Sequence, residues 1–346
     1  SVPKKPRQRS ALRPRAIREQ PRLRATREQA DAMLVLTRQP SQPLRLYKRE
    51  DSNPWITYEH ISSGYRQKLT FYDALRSIFQ LHNETWNVWT HLLGFLLFVY
   101  FLPYTFHLPL PELEADTADS FGARLLHPFS PPPPALVGSS IARWPLYVFI
   151  SSAMACLGSS TAYHLIGTAT ADERTMRALA AADYNGVIFL ICGSYVPVLQ
   201  YGFRDAPVSR VAYTAALSLL GAAVFFLVRL EFFHAWRRLR TAMFVALGAF
   251  GVVPITHLLF RHEFDAWSLS VVHGLAQMAG SYLVGALIYA AQVPESLVAP
   301  EWRSFFDLHL NSHNVWHVFV VLGALAHYRA ALELWAAASL AHAGAG

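Results

Sequence analysis

Charge is what this chain has least of. Only 15% of its 346 residues are Asp, Glu, Lys or Arg, against about 25% in an ordinary soluble domain. That excludes a conventional water-facing surface over most of the length. Cysteine is nearly absent as well. Cys156 and Cys192 are the two, and both fall inside apolar stretches. A disulfide scaffold and a zinc–thiolate site are thereby excluded, and buried free thiols are expected. The basic residues lack interleaved aromatics in any compact patch, so no nucleic-acid partner is expected. The basic start is followed by no apolar core segment, so no signal peptide is expected.

What is present is hydrophobic length. The chain is 53% hydrophobic, with a mean hydropathy of +0.22. About 20 apolar residues suffice to cross a bilayer. Seven such windows run roughly Val88–Phe106, Trp144–Ile166, Ala181–Tyr201, Val211–Leu230, Ala242–Phe260, Trp267–Ala290 and Ser312–Trp335. The fourth and fifth are the least sharply bounded, because Arg229 and the Arg237–Arg240 cluster crowd the boundary they share. The expected fold class is an all-α membrane protein, a seven-transmembrane helix bundle.

Seven spans put the termini on opposite sides. Of the 30 Lys and Arg, 17 lie in the tail from Lys4 to Arg76, and 24 in all fall on the N-terminal side against 6 on the other. The positive-inside rule then predicts a cytoplasmic N-terminus and an external C-terminus. Without the tail the tally is 7 against 6, so the tail carries the assignment. The membrane is the plasma membrane or an endomembrane; the sequence does not choose.

The predicted organisation is a disordered basic cytoplasmic tail (1–43), a cytoplasmic segment (44–83), the bundle (84–335) and an external tail (336–346). The first 40 residues are rich in Arg, Gln and Pro, which suits disorder. This run either touches anionic lipid on the cytoplasmic leaflet or is a solvated tail that only sets topology. Phe71, Leu75, Ile78 and Phe79 recur at helical spacing, so a short amphipathic helix over Phe71–Leu81 is expected on the membrane surface. The loop between spans one and two contains Pro131–Pro134, which cannot be helix and reads as an extended spacer.

The polar residues inside this frame point to chemistry. His313-Asn-Val-Trp-His317 opens the last span. Two imidazoles four residues apart share one helix face, a spacing that suits two ligands of one metal. The predicted topology brings His164, at the end of span two, and Asp183, in the first turn of span three, to the same membrane depth. Three His with an open position form the arrangement of a catalytic zinc site. The opposing reading is a set of separately satisfied interfacial groups. Ser160 stands one turn before His164, where its hydroxyl either supports Asp183 or the water or only packs helices. Glu84, Asn87 and His91 share one face at the start of span one. They are expected to anchor that helix, with orientation of the site and a fourth-ligand role for His91 as alternatives. His327 lies about 21 Å beyond His313 along the helix. With His257 and His273 it makes either a second cluster or scattered polar residues near the outer interface.

These residues also carry a resemblance. Glu84-x2-Asn87-x3-His91, Ser160-x3-His164 followed by Asp183-Tyr-Asn-Gly186, and His313-x3-His317 together resemble the three signature motifs of the progestin and adipoQ receptor family. That family includes adiponectin receptors and fungal relatives and is related to haemolysin III; a fungal-type member is expected. Ser77-Ile-Phe, Thr90-His-Leu-Leu-Gly94, Ser194-Tyr-Val-Pro197 and Val293-Pro294-Glu295 match in style. The resemblance covers about Gly64 to Leu325, and leaves out the Arg-rich tail and the Pro-rich loop. It implies Zn2+ held by His164, His313 and His317, with Asp183 on the zinc-held water.

A zinc-activated water facing an apolar bundle favours a lipid acyl substrate. Slow hydrolysis of an N-acyl sphingolipid such as ceramide is therefore expected, in the service of lipid signalling. The competing expectation is a receptor whose zinc is structural and whose extracellular ligand shifts the bundle. A transporter or pore would need polar midplanes or interrupted helices, and the spans show few. Expected partners are membrane lipid and an extracellular ligand; the oligomeric state, a homo-oligomer included, is open.

Overall fold

The computed structural model describes residues 44–108, 141–230, 236–263 and 266–343. The tail expected to be disordered and the Pro131–Pro134 spacer lie outside the described residues. Among those described, seven helices are long and apolar enough to cross a membrane, and no strand forms beyond one bridge between Tyr47 and Tyr65. The chain is a multi-pass integral membrane protein of all-helical class.

A strap of chain precedes the bundle. It is pinned by the Tyr47–Tyr65 backbone pair (2.8 and 3.1 Å) and leads into α1, Phe71–Arg76. Thr70 caps α1, its hydroxyl accepting from the Asp73 amide at 3.2 Å. One 3-10 turn, Ser77–Phe79, ends the segment. The expected helix over Phe71–Leu81 is therefore shorter than its apolar period. Phe71 in the helix and Phe79 in the turn are both exposed, 64% and 83%.

The spans follow as α2 (Thr85–His107), α3 (Trp144–Ala162), α4 (Glu173–Gly202), α5 (Pro207–Leu227), α6 with α7 (Arg237–Ala249 and Val252–Arg261), α8 (Ala266–Ala291) and α10 (Ser312–Ala343). A short α9, Arg303–Leu308, precedes the last. The fifth crossing is broken at Phe250–Gly251, where Gly248, Gly251 and Pro254 weaken the helical ladder.

Two boundaries depart from the hydropathy windows. Helix α4 starts at Glu173, two turns before Ala181, because Asp172 caps it by accepting from the Arg174 and Thr175 amides. Charged first turns are good helix starts but poor bilayer residues, so hydropathy discards them. Helix α10 runs on past Trp335 to Ala343. Its 32 residues extend about 48 Å, longer than the roughly 30 Å hydrocarbon core.

The core lies where α2, α3 and α10 meet. Phe98, Leu146, Phe149, Ala324 and Tyr328 are fully buried there. Phe101 stacks on Tyr328 at 4.4 Å, and the Tyr328 hydroxyl meets Thr105 Oγ1 at 2.7 Å. In lipid, helices associate through close packing and hydrogen bonds more than through hydrophobicity. Gly323 shows the first of these: a Cβ there would lie 2.5 Å from the Tyr282 ring of α8.

Candidate metal centre

Helix α3 does not end cleanly. It widens into a π-helical turn, Tyr163–Gly167, of the kind that recurs at functional sites. His164 lies in this turn and is completely buried. The widened turn leaves carbonyls that the α-helical ladder does not satisfy, and Arg66 of the strap reaches in to take them. Its guanidinium donates to the His164 carbonyl (2.7 Å), the Leu165 carbonyl (3.2 Å), Thr168 Oγ1 (3.0 Å) and the Ser77 hydroxyl. Burial lowers Arg66 to about 10, with Glu84 and Tyr58 pulling the other way.

Helix α10 begins with its ends well satisfied. Glu295 accepts from the Ser312 amide at 2.7 Å and from the Ser312 hydroxyl. Asn311 accepts from the Asn314 amide at 3.0 Å. This fixed start sets His313 and His317 on one face.

His164, His313 and His317 meet. Each offers one ring nitrogen, and these atoms all lie within 4.8 Å of one another. The ring centroids stand 4.9 Å (164–313), 4.7 Å (164–317) and 4.9 Å (313–317) apart. Among the described residues this is the group of three or more His, Cys, Asp or Glu that could hold a metal ion. Its chemistry fits one. The His164 Nδ1 is engaged by Glu84 Oε2 at 2.8 Å, while its Nε2 is buried and has no hydrogen-bond partner. Such an atom normally costs about 1–3 kcal/mol. Three imidazoles, His164 and His317 buried and His313 half-buried, suit a borderline divalent ion such as zinc.

The remaining sequence candidates take distinct places. Asp183 stands outside the 4.8 Å set and accepts a hydrogen bond from Ser160. His91 is not in the set either. Its ring stacks on His317 at 3.6 Å with planes 10° apart. Glu84 heads α2 without capping it. Its carboxylate is bonded by His164, by Asn87 Nδ2 at 2.7 Å, by Asn83 and by Tyr58.

His257, His273 and His327 do not form a second centre. His257 pairs with the Tyr213 hydroxyl at 2.9 Å, His273 with Gln277 at 3.0 Å, and His327 packs edge-on against Phe149 at 4.5 Å.

Sequence reasoning missed Tyr58, Tyr289 and Arg66. The two tyrosines present edges to His313, with centroids 5.8 and 5.2 Å away. Both lie far from the histidines in sequence, and neither belongs to a motif with a spacing to detect. A lone arginine among polar strap residues gives no signal of being buried.

The family described as Haemolysin-III related matches residues 79–328. Heptahelical transmembrane protein 1 of Arabidopsis thaliana is 34% identical over 277 residues, covering 79% of this chain and 76% of that protein. The Adiponectin receptor protein of Drosophila melanogaster is 30% identical over 280 residues, covering 80% and 56%. The Progestin and adipoQ receptor-like protein 1 of Caenorhabditis elegans is 28% identical over 295 residues, covering 84% and 61%.

Proposed function

The chain belongs to the haemolysin-III-related progestin and adipoQ receptor family, and on that premise we propose that it is a zinc-dependent lipid amide hydrolase acting slowly on an N-acyl sphingolipid such as ceramide. The observation that carries this reading is the three-imidazole cluster at one end of an apolar bundle, with the His164 Nε2 atom buried and unpartnered. The basic tail sets that end of the bundle at the cytoplasmic face.

His164, His313 and His317 would hold the zinc. When bound, the ion supplies Lewis acidity and a polarised water at neutral pH. Asp183 is the carboxylate that would accept a proton there as general base. Ser160, donating to Asp183, keeps the carboxylate turned toward the site. Phe- and Leu-rich helix faces accept the acyl chain and exclude bulk water, which strengthens each electrostatic contact inside.

Asp183→Asn tests this directly. Purified variant should retain zinc and lose ceramide turnover. Turnover equal to wild type would refute Asp183 as the base. A second reading is favoured by the way the cluster ties α3 to α10: the zinc staples the helices of a receptor, and an external ligand shifts them. Its mark is zinc-dependent thermal stability with no turnover at any lipid concentration.

A further inference from the structure

Helix α2 contributes no nitrogen to the triad, yet two of the three ligands lean on it. Glu84 Oε2 faces His164 Nδ1 at 2.8 Å. The Asn87 main-chain carbonyl faces His317 Nδ1 at 3.1 Å. A carboxylate and a carbonyl can only accept. Each facing Nδ1 must therefore carry the imidazole's proton, and each Nε2 must carry the lone pair. Asn87 also joins the two halves. Its Nδ2 donates to Glu84 Oε2 at 2.7 Å, and its Oδ1 accepts from Asn314 Nδ2 at 2.7 Å. Asn314 lies between His313 and His317 on α10.

We infer that Glu84 and Asn87 are positioning residues that hold His164 and His317 in the Nδ1–H tautomer, so that both present Nε2 to the metal. This rests on the metal reading above and gives α2 a task separate from ligation. Three details support it over simple helix anchoring. Glu84 makes no side-chain bond to the amides of the helix it heads. Its carboxylate is 1% exposed and spends its acceptor capacity on His164, Asn87, Asn83 and Tyr58. The His164 nitrogen left over is buried without a donor, as a lone pair reserved for a cation would be. A carboxylate behind a ligand imidazole also raises its basicity, and the charge-assisted bond is short and directional.

The experiment uses the purified full chain, metal-stripped and retitrated with zinc against a competing chelator. Glu84→Gln should weaken zinc binding by about 10–100-fold. In metal-free protein labelled with 15N-histidine, the His164 ring should carry its proton on Nδ1 in wild type and lose that preference in the variant. A purely structural Glu84 would change the melting temperature and leave both readings alone. Zinc affinity equal to wild type in Glu84→Gln overturns the inference. If that variant does not fold, Glu84→Asp takes its place, keeping the charge but shortening its reach by one methylene. Weakened binding then supports the inference, and unchanged binding overturns it. A wild type that binds no zinc sinks the metal reading and this inference together. Zinc-binding wild type beside an equally tight variant sinks this inference alone.

Discussion

His82 shows how a buried titratable residue near the centre can govern stability without touching the metal ligands. Its ring accepts from the Glu84 amide through Nδ1 (3.1 Å) and donates to the Ser77 carbonyl through Nε2 (3.2 Å). Burial, with the Arg66 charge beside it, lowers it to about 3. The folded protein therefore refuses a proton that the unfolded chain takes near the ordinary histidine value of about 6.5. Its contribution is complete above about 6.5 and is lost as pH falls toward about 3, at up to roughly 1.4 kcal/mol per unit in between. His82→Gln removes the titration. The melting-temperature gap between wild type and variant should narrow from pH 6.5 to pH 5; a constant gap would show that His82 does not titrate there. At this scale the sequence was partly legible. The i, i+4 spacing of His313 and His317 announced a shared face, and a common depth brought in His164. Glu84 looked like a helix anchor, because position at a helix start says nothing about which neighbouring span its carboxylate will meet.

Helix α3 illustrates what an element can hide. Its apolar run predicted a plain span ending near Ile166, and the end falls at Gly167 after a π-helical turn. Hydropathy reports length, not hydrogen-bond register, so the turn was invisible. Its stability depends on a residue about 100 positions earlier. Arg66 satisfies two main-chain carbonyls and two hydroxyls with one planar fork. Lys keeps the charge but not the fork. Arg66→Lys should cost about 2–3 kcal/mol of stability, read as a lower melting temperature, and should weaken zinc retention because His164 rides on the same turn. A variant that melts with wild type would show that the carbonyls find other donors. Helix α4 makes the complementary point. Its charged first turn, with the Glu173–Arg177 pair at 2.6 Å, is helix by capping and loop by hydropathy, and capping won.

The described residues form a bundle in which distant segments converge at one end. The strap supplies Arg66 and Tyr58, α2 supplies Glu84 and Asn87, α3 supplies His164, and α10 supplies His313 and His317. Span number and the family motifs were readable because apolar length and motif order are local properties of the chain. The strap's part was not, since nothing local in residues 44–70 records that they close over a buried cluster. This convergence is expected to bind one zinc ion. The most direct measurement is the metal content of purified full-length protein by elemental analysis. Wild type should carry about one zinc per chain, and His164→Ala should lose most of it. Wild type without zinc, or a His164→Ala variant that keeps as much as wild type, would contradict it.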